Sequence, residues 1–151
     1  MRVWRLCVGQ HAAPDGEGAR LFGGRWNPPG TAVVYTSATL SLATLEYLVN
    51  LDSDLFPENL VAVSTDIPPA LDIESVTVGD LPANWREYPG PDVLLVIGAT
   101  WAAARHAAIL SVPSVVIPEE RNYLLNPAHP HFSHISWNAP ERFRFDSRLR
   151  P

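Results

Sequence analysis

Leu21 to Leu51 reads LFGGRWNPPGTAVVYTSATLSLATLEYLVNL. Asn27-Pro28-Pro29-Gly30 is turn chemistry, because proline fixes φ and glycine supplies positive φ. Val33, Val34 and Tyr35 suit a strand, predicted over Val33 to Thr36. Ser37 or Thr39 can cap the helix that follows, predicted over Thr39 to Leu51. Two letters are left unexplained by local structure. Arg25 follows Gly23-Gly24 in a bend where a backbone can approach a ligand closely. Glu46 is a lone acid beside an apolar stripe of Leu42, Leu45 and Val49.

Outward from this stretch the chain alternates short strands with irregular segments. Val3 to Val8 alternates as a first strand, and the polar, glycine-bearing run from His11 to Arg20 reads as a loop. Leu60 to Ile67 is a strand ended by Pro68-Pro69, and Ala70 to Val78 has room for a short one. Pro82 to Pro91 is irregular, with Trp85 as its anchor. Asp92 to Arg105 is a second helix. Pro113 splits Ile109–Val112 from Ser114–Ile117, which leaves one bent strand or two. His131 to Trp137 and Arg142 to Asp146 are late strands. The pattern is α+β with two principal helices, and no βαβ alternation points to a Rossmann sheet. The chain has neither GxGxxG nor a P-loop.

Bulk properties narrow the function classes. A chain of 151 residues fits a single domain, residues 1–151, with enough length for a real core. Hydrophobic residues at 46% against 18% charged ones place it among globular chains. Net charge is −5, and there is no lysine; all 11 basic residues are Arg. The densest arginines, Arg142, Arg144, Arg148 and Arg150, are interleaved with Glu141 and Asp146, which reads as a solvated tail and not as a nucleic-acid stripe. Cys7 stands alone, so no internal disulfide forms and a cysteine-based zinc site is excluded; it reads as a small buried hydrophobe. No apolar run is long enough for a membrane span, and the N-terminus lacks a signal-peptide pattern, so a cytoplasmic protein is expected.

Each candidate side chain carries a plain reading beside a chemical one. Arg25 offers a planar fork that fits phosphate oxygens, or it pairs with a carboxylate in the turn. Tyr35 ends a strand, where its ring either stacks on a flat heterocycle or packs in the core. Glu46 is either a solvated residue at the edge of its helix face or a fixed carboxylate able to stabilise positive charge on a sugar. Ser114 lacks a nucleophile elbow; it either binds substrate or begins a strand. Asn122 and Asn126 flank Tyr123-Leu124-Leu125 as turn formers or clamps on the Ser114 segment. His129, His131 and His134 lie close together, but Pro130 breaks strand geometry between the first two and no acid is near in sequence, so scaffold outweighs a metal site.

Gly23-Gly24-Arg25-Trp26-Asn27-Pro28-Pro29-Gly30, then Tyr35, Leu45-Glu46, Val112-Pro113-Ser114 and Asn122-Tyr123-Leu124-Leu125-Asn126-Pro127, taken together, resemble the RES-domain family over nearly the whole chain. The resemblance implies an ADP-ribosyltransferase-like fold, with a bent, split β core, flanking helices and a cleft for NAD. It implies a toxin that breaks the nicotinamide–ribose bond of NAD by hydrolysis or phosphorolysis, without a metal. Arg25 would hold the pyrophosphate, Tyr35 would line the nicotinamide pocket, Glu46 would act on the ribose, and Ser114, with Asn122, would orient the substrate. Its implied partner is an Xre-type helix-turn-helix antitoxin, with a toxin homodimer inside the complex and no direct contact with nucleic acid or membrane. A protein ADP-ribosyltransferase using the same residues is the alternative within enzymes. A non-catalytic partner-binding module with this fold is the alternative outside them.

Overall fold

The computed structural model describes residues 1–52 and 55–149. Its strands are β1 (Arg2–Val8), β2 (Val34–Ser37), β3 (Leu60–Asp66), β4 (Ile73–Ser75), β5 (Ile109–Pro113), β6 (Arg121–Leu125), β7 (Ser136–Trp137) and β8 (Glu141–Arg142). Its helices are α1 (Glu17–Phe22), α2 (Leu40–Val49) and α3 (Asp92–Ala104). The strands join one curled sheet in the order β4-β5-β6-β2-β1-β3-β7, with β8 also on β3. This is the mixed helix-and-sheet architecture that the sequence pattern predicts.

Register explains how the site is positioned. Successive strand residues face opposite sides of a sheet. Trp4 pairs with Ser37, Ser37 with Asn122, and Asn122 with Val112, so these four stand in one row on one face. That same face carries Leu6, Tyr35, Leu110 and Leu124. Its β1–β3 end is covered by α2, through Leu6, Ala43, Leu60 and Ala62. Its β5–β6 end is covered by α3, where Leu94 and Trp101 pack with Leu110, Val112 and Leu124. Val3, Val34, Ile109 and Leu125 form a separate core on the reverse face, closed by Ile135 and Phe132. The two helices therefore lie on the same side, and the polar residues of the row sit between them.

Several local expectations change. Part of the predicted His11–Arg20 loop winds into α1, which the Asp15 carboxylate starts by accepting from the Glu17 N–H and an Arg20–Glu17 pair one turn apart supports. Thr39, not Ser37, caps α2 by accepting from the Leu42 N–H. Ser114–Ile117 is a turn and not a strand, because the Ser114 hydroxyl takes the N–H groups of Val116 and Ile117. Pro130–His134 is a 3-10 helix, since Pro130 opens it and the His129 ring accepts the His131 N–H; only Ser136–Trp137 of that stretch is strand. One βαβ unit is present: β4 and β5 are parallel and joined through α3. It sits at one edge of an otherwise antiparallel sheet. No helix among the described residues is long and apolar enough to cross a membrane.

Candidate functional site

Glu46 is the first surprise of the site. The stripe it was read against is not the buried face of α2: Leu45 is 38% exposed and Val49 60%, whereas Leu42 is fully buried. The inward face centres between Leu42 and Ala43, and Glu46, four residues beyond Leu42, belongs to it. Its carboxylate thus points at the polar row of the sheet. There its Oε1 accepts from the Ser114 hydroxyl at 2.7 Å and from the Asn122 amide at 2.6 Å. Glu46 Oε2 has no partner among the described residues.

The donors are themselves fixed. Ser37 donates to Asn122 Oδ1 at 2.7 Å. The Glu46 carboxylate settles which way the amide faces, because it can only accept and so must meet the nitrogen, which leaves the oxygen for the Ser37 hydroxyl. Ser114 is fully buried, spends its single proton on Glu46 and fills its lone pairs with the Val116 and Ile117 N–H groups. It has nothing left for a ligand. Ser37, read beforehand as a helix cap, is the residue that sequence reasoning missed. The available signal was its strand period, which places it on the same face as Tyr35.

Arg25 comes from the bend that follows α1. Its Nη1 donates to the carbonyls of Trp85 at 3.1 Å and Glu87 at 3.0 Å. Nε and Nη2 have no partner among the described residues, so one edge of the guanidinium is clamped and the other is open. Burial pulls the pKa of this guanidinium down; the nearby Glu46 charge is the main influence in the other direction, ahead of Tyr88 and Tyr35. Arg25 and Glu46 thus share one electrostatic neighbourhood. Gly90 makes the clamp possible, since a Cβ there would lie 2.7 Å from Arg25 Nη1.

The bend is held from inside. Asn27 is fully buried, and its amide donates to the carbonyls of Ala19, Pro28 and Thr31. Tyr35 donates its hydroxyl to Asn27 Oδ1 at 2.6 Å and accepts the Trp26 N–H at 3.1 Å. Burial pushes the Tyr35 pKa up. The space beside Gly24, where the sequence suggests close approach of a ligand, is occupied by the protein itself: a Cβ there would meet the Tyr35 hydroxyl at 2.6 Å. From above, α3 presses on the same bend, and a Cβ at Gly98 would lie 1.6 Å from the Trp26 carbonyl oxygen. Ser114 and Asn122 thus meet on Glu46, and Arg25 lies within charge range of Glu46 and Tyr35, on the sheet face that α2 and α3 flank, while Asn126 lies at the far end of β6, donating to the Ala102 carbonyl.

His129, His131 and His134 are elsewhere, in the segment whose Phe132 and Ile135 pack on the reverse face. His129 and His131 rings are 5.2 Å apart and His131 and His134 rings 5.1 Å. Among the described residues no group of His, Cys, Asp and Glu is arranged to hold a metal ion.

Comparisons with known proteins bear on the family and the fold of this chain. The sequence matches the RES domain over residues 2–146. This chain belongs to the RES domain family. It is 39% identical over 152 residues to the Prs ADP-ribosylating toxin of Sphingobium sp. (strain YBL2), covering 97% of this chain and 94% of that protein. It is 35% identical to Toxin Res of Yersinia enterocolitica serotype O:8 / biotype 1B, covering 99% and 100%. In fold it is similar to a chain of the Mycobacterium tuberculosis MbcT–MbcA toxin–antitoxin complex, with a TM-score of 0.70 at 17% identity over 94% of this chain and 83% of the other.

Proposed function

We propose that this protein is the toxin of a toxin–antitoxin pair and that it consumes NAD by breaking the nicotinamide–ribose bond. The observation that carries this reading is the pair of unspent edges in the cleft. Arg25 keeps Nε and Nη2 free, a fork suited to pyrophosphate oxygens. Glu46 keeps Oε2 free while Oε1 is pinned. The C1′–N bond breaks with its electron pair going to the nicotinamide nitrogen, which leaves neutral. Positive charge develops on the ribose, where a fixed carboxylate stabilises it or holds a ribose hydroxyl. Water or phosphate then donates an oxygen to C1′ and loses its proton to solvent. The ring already carries a positive charge in NAD, so departure needs no metal.

Roles divide accordingly. Arg25 binds the pyrophosphate and Glu46 acts on the ribose. Ser114 and Asn122 are positioning residues that aim Glu46, with Ser37 behind Asn122. Tyr35 steadies the Arg25 bend and leaves its half-buried ring to line the nicotinamide pocket. Relatives carrying the name Toxin Res support the toxin reading. The partner is an Xre-type helix-turn-helix antitoxin, the toxin assembles as a homodimer within the complex, and the pair works in the cytoplasm. A second reading, transfer of ADP-ribose to a protein, is favoured by the name of the relative at 39% identity. NAD concentration followed over time with purified protein, with and without phosphate, tests both. Loss of NAD that requires Arg25 and Glu46 is expected, and phosphate dependence names the acceptor. NAD untouched by protein alone, with label from NAD appearing on a protein of a cell lysate, supports the transfer reading. NAD untouched in both settings leaves a binding module and overturns the enzyme.

A further inference from the structure

A polar cavity of about 230 Å³ opens at the end of β5 away from Ser114, where Asp72, Arg105, His106, His129 and His131 line it around Ala108. Ala108 and Ser114 are six positions apart, roughly 20 Å along an extended chain. The His129 segment also packs on the reverse face of the sheet, through Phe132 and Ile135. The cavity is therefore separate from the Glu46 cleft in both directions.

Its walls are built to donate. His129 is only 9% exposed. Its Nδ1 accepts the His131 N–H at 3.0 Å, so that nitrogen carries no proton and the ring proton sits on Nε2. Nε2 has no partner among the described residues and is not sealed from solvent, since among them only Trp137 Nε1, away from this cavity, is a fully buried side-chain atom without a partner. A solvent-accessible donor on a mostly buried ring is thus left in the lining of the cavity. Arg105 caps α3 in the left-handed region with φ 53°, the one non-glycine residue with positive φ among the described ones. Its guanidinium makes no hydrogen bond or ion pair among the described residues, even with Asp72 in the same lining. A cation and an N–H donor that line one open space, neither with an acceptor among the described residues, match an oxyanion. Asp72 adds an acceptor at the exposed rim, which suits a hydroxyl beside that anion.

We propose that this cavity binds a small phosphomonoester, its phosphate held by Arg105 and the Nε2–H of His129, with a hydroxyl of the same molecule donating to Asp72. The test follows the imidazole nitrogen NMR signals of the full-length protein during titration with ribose 5-phosphate, inorganic phosphate and ribose. Saturable shifts at His129 and His131 are expected with the first two ligands and not with ribose. Arg105→Asn, chosen because asparagine accepts positive φ, weakens ribose 5-phosphate binding by about tenfold or more. Asp72→Asn lowers the preference for ribose 5-phosphate over inorganic phosphate. NAD consumption in both variants stays at the wild-type rate. The proposal is overturned if no saturable shift occurs, if Arg105→Asn binds as the wild type does, or if Arg25→Ala alone removes the shifts, which would assign them to the other cleft.

Discussion

If Glu46 works because it is aimed, the two groups that aim it must show in the rate. Ser114 and Asn122 both donate to Oε1, at 2.7 and 2.6 Å. Hydrogen bonds to a charged group contribute roughly 1.5–3 kcal/mol each. Glu46 is only half-buried, so the lower end applies, about 1.5 kcal/mol per bond, or roughly tenfold in rate. Asn122→Ala and Ser114→Ala should each lower kcat for NAD consumption by about tenfold with little change in KM, because orientation is lost and not ground-state binding. With both donors gone the carboxylate turns freely, and the double variant should fall by about 100-fold or more, toward the floor set by Glu46→Ala. Ser114→Ala also frees the Val116 and Ile117 N–H groups, so its melting temperature should drop further than that of Asn122→Ala. Steady-state kinetics on folded variants decide the matter. Single variants that turn over at the wild-type rate while Glu46→Ala is dead would refute the argument, since the carboxylate would then be aimed by something else.

Gly98→Ala places a methyl where the Trp26 carbonyl stands; α3 and the Arg25 bend must separate, and thermal unfolding should show a loss of several kcal/mol, on the scale of overpacked cores (about 1–3 kcal/mol or more). Tyr35→Phe leaves the buried Asn27 Oδ1 without its donor and should cost about 1–3 kcal/mol at neutral pH. The Tyr35 pKa is raised in the fold; its contribution to stability is therefore complete below the unfolded value near 10 and is lost as pH rises beyond it. Chemical denaturation from pH 8 to 11 should show that alkaline loss in the wild type and a shallower one in Tyr35→Phe. Burial raises the Cys7 thiol's pKa, so iodoacetamide should label the native protein far more slowly than the unfolded one, and equal rates would contradict the burial.

The elements that announced themselves in sequence were those with strong periodicity: β1, β3, α2 and α3 fall within a residue or two of expectation. Composition and turn residues marked the Arg25 bend but not its interior. Asn27 reads as an ordinary turn former until four partners are seen around it. Ser114 and Asn122 are 8 positions apart in the chain and each more than 60 from Glu46, so their convergence depends on strand register, which a single sequence does not disclose. The stripe of Leu42, Leu45 and Val49 misled for a related reason. Periodicity gives a face, yet Leu45 and Val49 stand out in solvent because the sheet sits under Ala43 and Glu46 instead. The missed α1 is short and depends on a local ion pair, a signal too weak to separate from a polar loop.

The meeting of Gly98 with the Trp26 carbonyl bears on how such a protein can drift over generations. Most packing faults are repaired by shrinking a neighbour, because two side chains share the space. Here neither partner has a side chain to give up: one is a hydrogen on a helix and the other a main-chain oxygen. A side chain gained at position 98 has no second-site remedy of the ordinary kind, since every residue at position 26 keeps that oxygen, so the crossover helix and the arginine bend are tied to each other's path as a single inherited unit, while Leu45 and Val49 on the outer surface of α2 remain free to change.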